Sequence, residues 1–287
     1  MIRLFTYFIF SIPLLFLTLS CDNNPTEAER VVPPDEEIIP DEEKEWQLVW
    51  EDEFDSEQLD LEKWSFQFGT GSDEGLDNWG NNEGQYYTDR EENLYVDDGY
   101  LHIVAHQESY QGKQYTSARI RTRGKGDWMF GRFEIRAKLP QGQGIWPAVW
   151  MLPSKEDFQW PRDGEIDIME MVGHEPNRVH GTVHYEKNNG GHDFKGDPFT
   201  LQSGIFADDF HIFSIEWKVN EIQFFVDGNL FFTTNPTLLS NGGYPFNNTF
   251  HLIINMAVGG IWPGYPDETT QFPQEMVIDY VKVYQLQ

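Results

Sequence analysis

Residues 163 to 173 read Asp-Gly-Glu-Ile-Asp-Ile-Met-Glu-Met-Val-Gly. Glu165, Asp167 and Glu170 therefore interrupt a run that is otherwise apolar, and three carboxylates in such a run are costly to bury without a purpose. Two carboxylic acids placed across one bond suit glycoside hydrolysis. One is ionised and attacks the anomeric carbon, while the other is protonated and donates to the leaving oxygen. A third acid between them can share a proton with the nucleophile and help the other glutamate keep its own near neutral pH. The same residues could instead form a calcium site or a solvated acidic strip.

Parity sharpens the reading. In a regular strand Glu165 and Asp167 share one face, and Glu170 falls with Ile166 and Ile168 on the other, which would bury a carboxylate in the core. One extra residue near Ile168-Met169 repairs this, lining the three acids on one face and returning Met171 to the apolar side, so a β-bulge is predicted there. The two glutamates then lie about 13 Å apart along the strand. Joint chemistry at the ~5–5.5 Å of a retaining glycosidase requires the sheet to curve toward the substrate, and so a cleft.

Alternation is the dominant pattern beyond Trp46. In residues 132–139 Phe133, Ile135, Ala137 and Leu139 share one face and charged residues share the other, the period of a half-buried strand. Further strands are expected over 101–105, 213–219, 222–226, 230–234, 250–257 and 276–284, with tight hairpins at Asn220-Glu221 and Asp227-Gly228. No long amphipathic helix and no repeat emerges. An all-β, antiparallel sandwich of two sheets follows.

The 287 residues divide into three parts. Residues 1–20 read as a signal peptide, with Arg3 before an apolar run too short for a membrane span. The chain's single cysteine, Cys21, follows directly, where a bacterial lipoprotein precursor is cut and lipidated. Residues 21–46 are acidic and proline-rich without aromatics before Trp46, hence a tether. Residues 47–287 form one domain. The tether segment from Asp22 to Glu45 carries ten acidic and two basic residues, leaving 38 acidic and 17 basic beyond it and a domain charge of −21 within a total of −28. That sign opposes phosphate binding, so nucleic acid is excluded as a partner. A single Cys excludes an intrachain disulfide, and scattered His argue against zinc.

Glu165-Ile-Asp-Ile-Met-Glu170 resembles the active-site signature of glycoside hydrolase family 16, in the form with the inserted residue typical of endo-β-1,3-glucanases of the laminarinase group. Other pieces follow in family order: Val49-Trp-Glu-Asp-Glu-Phe-Asp55, Trp79-Gly-Asn-Asn-Glu83, Gln85-Tyr-Tyr-Thr88, Ser117-Ala-Arg-Ile120, the stretch 131–140, Gly144-Ile-Trp-Pro-Ala-Val-Trp-Met-Leu-Pro153, Gly181-Thr-Val-His184, Met256-Ala-Val-Gly-Gly260 with Trp262-Pro-Gly264, and Ile278-Asp-Tyr-Val-Lys-Val-Tyr284. They span nearly the whole domain.

The resemblance implies a jelly roll with a concave cleft, Glu165 as nucleophile, Glu170 as acid/base and Asp167 as their helper, in a reaction that retains configuration and needs no catalytic cofactor. It further implies cleft tryptophans Trp146, Trp150 and Trp262, polar positions His184 and Arg119, a sugar-binding Asn82, and one structural calcium at Glu53, Gly99 and Asp279. It departs from the family pattern at Gly84, at Ile261 and over residues 186–198, regarded as rim loops where linkage specificity is set. The resulting expectation is a monomeric, lipid-anchored endo-β-1,3-glucanase of the cell envelope, acting on laminarin-like glucan with an extension to mixed-linkage β-1,3-1,4-glucan. Two alternatives stay open: a galactan hydrolase on the same fold, disfavoured by the acidic domain where sulfated galactans call for a basic cleft, and a non-catalytic glycan-binding lipoprotein. A purely structural, calcium-stabilised surface protein is a further possibility, and it predicts no sugar affinity.

Overall fold

The computed structural model describes residues 44–287; the signal segment, Cys21 and nearly all of the tether lie outside the described residues. From Trp46 onward the alternating patterns become strands. The strands, in chain order, are β1 (Trp46–Asp52), β2 (Ser65–Phe66), β3 (Gln85–Tyr87), β4 (Leu94–Asp97), β5 (Tyr100–Tyr110), β6 (Lys113–Ser117), β7 (Arg119–Arg121), β8 (Asp127–Trp128), β9 (Gly131–Lys138), β10 (Ile145–Pro153), β11 (Glu165–Glu170), β12 (Arg178–Glu186), β13 (His192–Thr200), β14 (His211–Lys218), β15 (Glu221–Val226), β16 (Asn229–Thr234), β17 (Phe250–Val258) and β18 (Gln274–Leu286). No helix among the described residues is long and apolar enough to cross a membrane.

Two sheets result. One runs β16-β15-β14-β9-β18-β5-β6-β3, with β1 added on β18 and β4 on β5; the other runs β13-β12-β11-β10-β17-β7-β2, with β8 on β17. Pairing is antiparallel throughout except for β3 with β6, which are parallel. The alternation of β9 places Phe133, Ile135 and Ala137 in the core, as do Val281 and Val283 of β18, where they face Val149, Met151, Ile166, Ile254 and Met256 of the second sheet. Each such side chain taken from water contributes roughly 1.5–3 kcal/mol, which fixes the strand register because a one-residue slip would expose the whole row.

The expected hairpins form at β14–β15 and β15–β16. Asn220, Asp227 and Gly228 adopt the left-handed backbone that such tight turns require. Residues 186–198, expected as a rim loop, differ: the segment 192–200 is the edge strand β13, paired along its full length with β12 from Arg178↔Thr200 to Glu186↔His192. Its charged and glycine-rich composition hides a strand because an outermost strand needs few apolar positions.

Candidate active site

Strand β11 carries the three acids, and it is bulged where parity demanded. Against β12, Asp167 pairs with Thr182 and Glu170 with His180, so three steps on β11 match two on β12. Against β10, the single step Val149 to Trp150 matches two steps between Met169 and Asp167. Ile168 is the extra residue, and both Ile168 and Met169 are buried in the core. Glu165, Asp167 and Glu170 are thereby all left on the outward face of the second sheet, where their cross-strand neighbours are His184, Thr182 and His180.

Each outer acid is held by a tryptophan indole. Trp160 Nε1 donates to Glu165 Oε2 at 2.9 Å, and Trp146 Nε1 donates to Glu170 Oε1 at 3.1 Å. Asp167, only 2% exposed, faces His184, whose Nε2 lies 3.1 Å from Asp167 Oδ2 and 3.8 Å from Glu165 Oε1. The contact with Asp167 is an ion pair without hydrogen-bond alignment, since that oxygen has no formed hydrogen bond. On its other side His184 Nδ1 meets His192 Nε2 at 2.7 Å.

The electrostatics follow from this crowding. Burial first, and then the charge of Asp167, pushes Glu165 up to about 8; the same two causes, with Glu165 added, hold Glu170 well above the ordinary carboxylate range. Burial alone would lower His184, but the charge of Asp167 at 3.1 Å and then the charges of Glu165 and Glu170 outweigh it and raise it to about 10. The centre therefore holds a histidinium beside two glutamates, Glu165 and Glu170, that retain protons near neutral pH. Among the described residues Glu165, Asp167 and His184 are also the single group of His, Cys, Asp or Glu close enough to share a metal ion.

The remaining cleft positions surround the acids. Trp262, 42% exposed, packs edge-on against Trp146 at 5.6 Å and against His180 at 5.2 Å. Trp150 donates to Asn255 Oδ1 at 2.7 Å, and Asn255 in turn donates to the buried Tyr87 hydroxyl. Arg119 is buried with its guanidinium between the Trp79 and Trp150 rings, 4.3 and 4.7 Å from their centroids, and its Nε donates to Gln67. Burial lowers Arg119 and raises the neighbouring Glu83, which accepts from Gln85 and Tyr87. Asn82 sits exposed in a left-handed turn. Its loop is tied to the Trp262 loop by Ile261 N–H donating to the Asn81 carbonyl and by the Tyr265 hydroxyl donating to the Asn82 carbonyl. Gly84 belongs to the same junction: a Cβ there would meet the Val258 carbonyl at 2.9 Å and the Tyr265 ring at 3.2 Å. That close approach explains the missing bulky residue.

The positions matched to calcium are elsewhere. Gly99 occupies the left-handed turn between β4 and β5, the carboxylate of Glu53 is 2.6 Å from Lys282 Nζ, and that of Asp279 pairs with Arg136. Both carboxylates of the expected set thus already face a cation, Lys282 for Glu53 and Arg136 for Asp279.

The sequence reading missed Trp160, His180, His192 and Asn255. Asn255 had a signal, as the lone amide within the apolar run 250–257, and so had Trp160, an aromatic five residues before the first acid. The two histidines give none, because only the pairing of β12 with β11 and β13 brings them to the acids.

Comparison with known proteins agrees with this geometry. Residues 77–282 match the family described as "Glycosyl hydrolases family 16". The chain is 46% identical over 257 residues to a "Beta-glucanase" of Rhodothermus marinus, covering 83% of this chain and 85% of the relative. Among solved structures it is similar to the catalytic domain of an endo-1,3-beta-glucanase (laminarinase) from Thermotoga petrophila, with TM-score 0.80, 47% identity and coverage of 85% of this chain and 99% of that one. The endo-beta-1,3-glucanase from Pyrococcus furiosus gives TM-score 0.79 and 40% identity over 87% and 99%. The two-sheet sandwich is thus the jelly roll of these enzymes.

Proposed function

The chain belongs to glycosyl hydrolases family 16, and from that premise we propose that it is a retaining endo-β-1,3-glucanase in which Glu165, Asp167 and Glu170 carry the reaction. The observation that supports this most directly is the row of three acids on one sheet face, its two ends held by indole N–H groups. In the first half-reaction the Glu165 carboxylate bonds to the anomeric carbon as the glycosidic C–O bond breaks, and Glu170 gives its proton to the departing oxygen. Glu165 must be ionised to attack, so its proton passes to the adjacent Asp167, the pair remaining anionic beside the His184 cation. In the second half Glu170 takes a proton from water, whose oxygen attacks the same carbon and releases Glu165. Trp146, Trp150 and Trp262 offer rings to the C–H faces of the sugar and Asn82 lines the approach, while Arg119, expected at the substrate, is instead buried behind Trp150 and supports that ring.

The proposal extends to laminarin-like chains with activity on mixed-linkage β-1,3-1,4-glucan, to a monomer, and to attachment through lipid on Cys21 in a bacterial cell envelope. The short apolar leader before the only cysteine and the acidic tether after it support the last point. A structural calcium at Glu53, Gly99 and Asp279 would require Arg136 to leave Asp279. The deciding experiment is reducing-end release from laminarin, barley β-glucan and agarose, with Glu165→Gln as control. Release from laminarin that disappears in the variant supports the reading; oligosaccharide binding without release from any polymer overturns it in favour of a binding protein.

A further inference from the structure

The outward face of the second sheet continues past the acids on the β12 and β13 side. His184 pairs with Phe194, Thr182 with Gly196 and His180 with Pro198, so β13 lays a second row parallel to Glu165, Asp167 and Glu170. Phe194 is 57% exposed, an unusual position for a phenylalanine that is not isolated. Its ring stands 5.8 Å from His184 and 6.0 Å from His192, stacked on the latter, and His192 lies 4.6 Å from the Trp160 ring. Trp160, His192 and Phe194 thus form one exposed aromatic surface that begins at Glu165 and ends at the sheet edge. Beside it Gly196 keeps the face low: a Cβ there would meet the Gly181 carbonyl at 2.5 Å and Thr182 Oγ1 at 2.8 Å.

We propose that β13 carries a glucan subsite, with Phe194 as the platform for a glucosyl ring and Gly196 as the open floor beside it. The proposal rests on the glucanase reading and adds a place where part of the chain remote from the scissile bond is held. Strands lie ~4.8 Å apart, so β13 is about 10 Å from β11, and the ring on Phe194 is separated from the reacting bond by an intervening sugar. An exposed phenyl face next to the low Gly196 floor matches the C–H face of a pyranose, and no charge is required of the partner. The occupant is accordingly a neutral β-glucan chain continuous with the one at the acids.

The test compares Phe194→Ala and Phe194→Tyr in the full chain. Phe194 is exposed, so both variants should keep the parent thermal midpoint. Phe194→Ala should lower kcat/KM on long β-1,3-gluco-oligosaccharides on the order of tenfold, mainly through KM, and shift the cleavage position, while short oligomers that stop before β13 are cleaved as before. Phe194→Tyr should restore the parent pattern. In a Glu165→Gln background, calorimetry with the long oligomer should show a matching loss of affinity for Phe194→Ala. Unchanged kinetics, products and affinity in Phe194→Ala, with the parent active on laminarin, overturn the subsite alone. A parent that neither cleaves nor binds β-1,3-glucan overturns the glucanase reading and the subsite with it.

Discussion

His184 Nε2 lies 3.1 Å from Asp167 Oδ2, and this pair places a cation at the middle of the acid row. His184 is reached only because β12 and β11 are paired so that Glu165 faces it. The cation lowers the proton affinity of both glutamates, and the acids reciprocate by raising that of His184. Asp167 therefore does more than sit between two reacting groups. It ties their charge to a side chain on the neighbouring strand.

His184→Asn removes that cation while preserving shape. Both glutamates should bind protons more tightly, moving the acidic limb of the kcat/KM profile to higher pH, because the nucleophile must lose its proton to attack. Loosened positioning of the cluster should also lower kcat by about 10²-fold. A pH–rate profile of the variant checks this; a limb at unchanged or lower pH would contradict the charge relation.

Trp146→Phe separates ring from N–H. The phenyl ring keeps an apolar surface beside Trp262, but Glu170 loses a donor that favours its ionised form. Glu170 should hold its proton to higher pH, and the alkaline limb of the kcat profile should move upward. The loss of a hydrogen bond to a charged group predicts a fall in kcat of about tenfold or more. If KM alone changed, Trp146 would be only a sugar platform.

Much of this site is legible from chain order. The mismatch of parity between Asp167 and Glu170 requires an extra residue, and the apolar neighbours Ile166, Ile168, Met169 and Met171 tell which face each acid takes. The strands 213–219, 222–226 and 230–234 match β14, β15 and β16 within two residues at each end, because each buries one face. What chain order does not carry is the cross-strand partner. The His184–His192 contact, the placement of Arg119 between Trp79 and Trp150, and the parallel pairing of β3 with β6 depend on residues 8 to 40 positions apart or more. β13 escaped because an edge strand with few apolar side chains has the composition of a loop.

Stability should depend on pH from both sides. His251 is 3% exposed, and burial, followed by the charges of Arg121, Arg123 and Arg119, lowers it to about 3. A depressed folded-state value means that its contribution is full above the unfolded value near 6.5 and is lost as pH falls toward 3. Glu165 and His184 act in the opposite direction. Their folded values of about 8 and about 10 exceed the unfolded ones, so their contributions are full at low pH and are lost between about 4.5 and 8 and between about 6.5 and 10 respectively. Thermal midpoints measured from pH 3 to 10 should fall toward both ends. His251→Gln should flatten the acid side and Glu165→Gln the fall between about pH 5 and 8; a Glu165→Gln curve parallel to the parent across that range would count against a raised Glu165.

The bulge itself can be tested by changing the chain length within β11. Deleting Ile168 leaves Glu-Ile-Asp-Met-Glu, in which strict alternation alone puts all three acids on the outward face and Ile166 and Met169 in the core. The deletion removes one buried side chain, at a cost of about 2–5 kcal/mol, but keeps the chemistry on the correct side. Inserting one alanine after Asp167 removes no buried side chain, yet it shifts the pairing of everything that follows. Either the strand takes a second bulge, or it straightens with Ile168 turned outward and Glu170, still on the outward face, slides two pairs along β12 from His180 to Arg178. The deletion should therefore melt lower and still release reducing ends from laminarin, and the insertion should lose activity by at least about 10³-fold even where circular dichroism shows a folded sheet. Equal activity in the two variants would mean that the acids are positioned by something other than the register of β11 on β12.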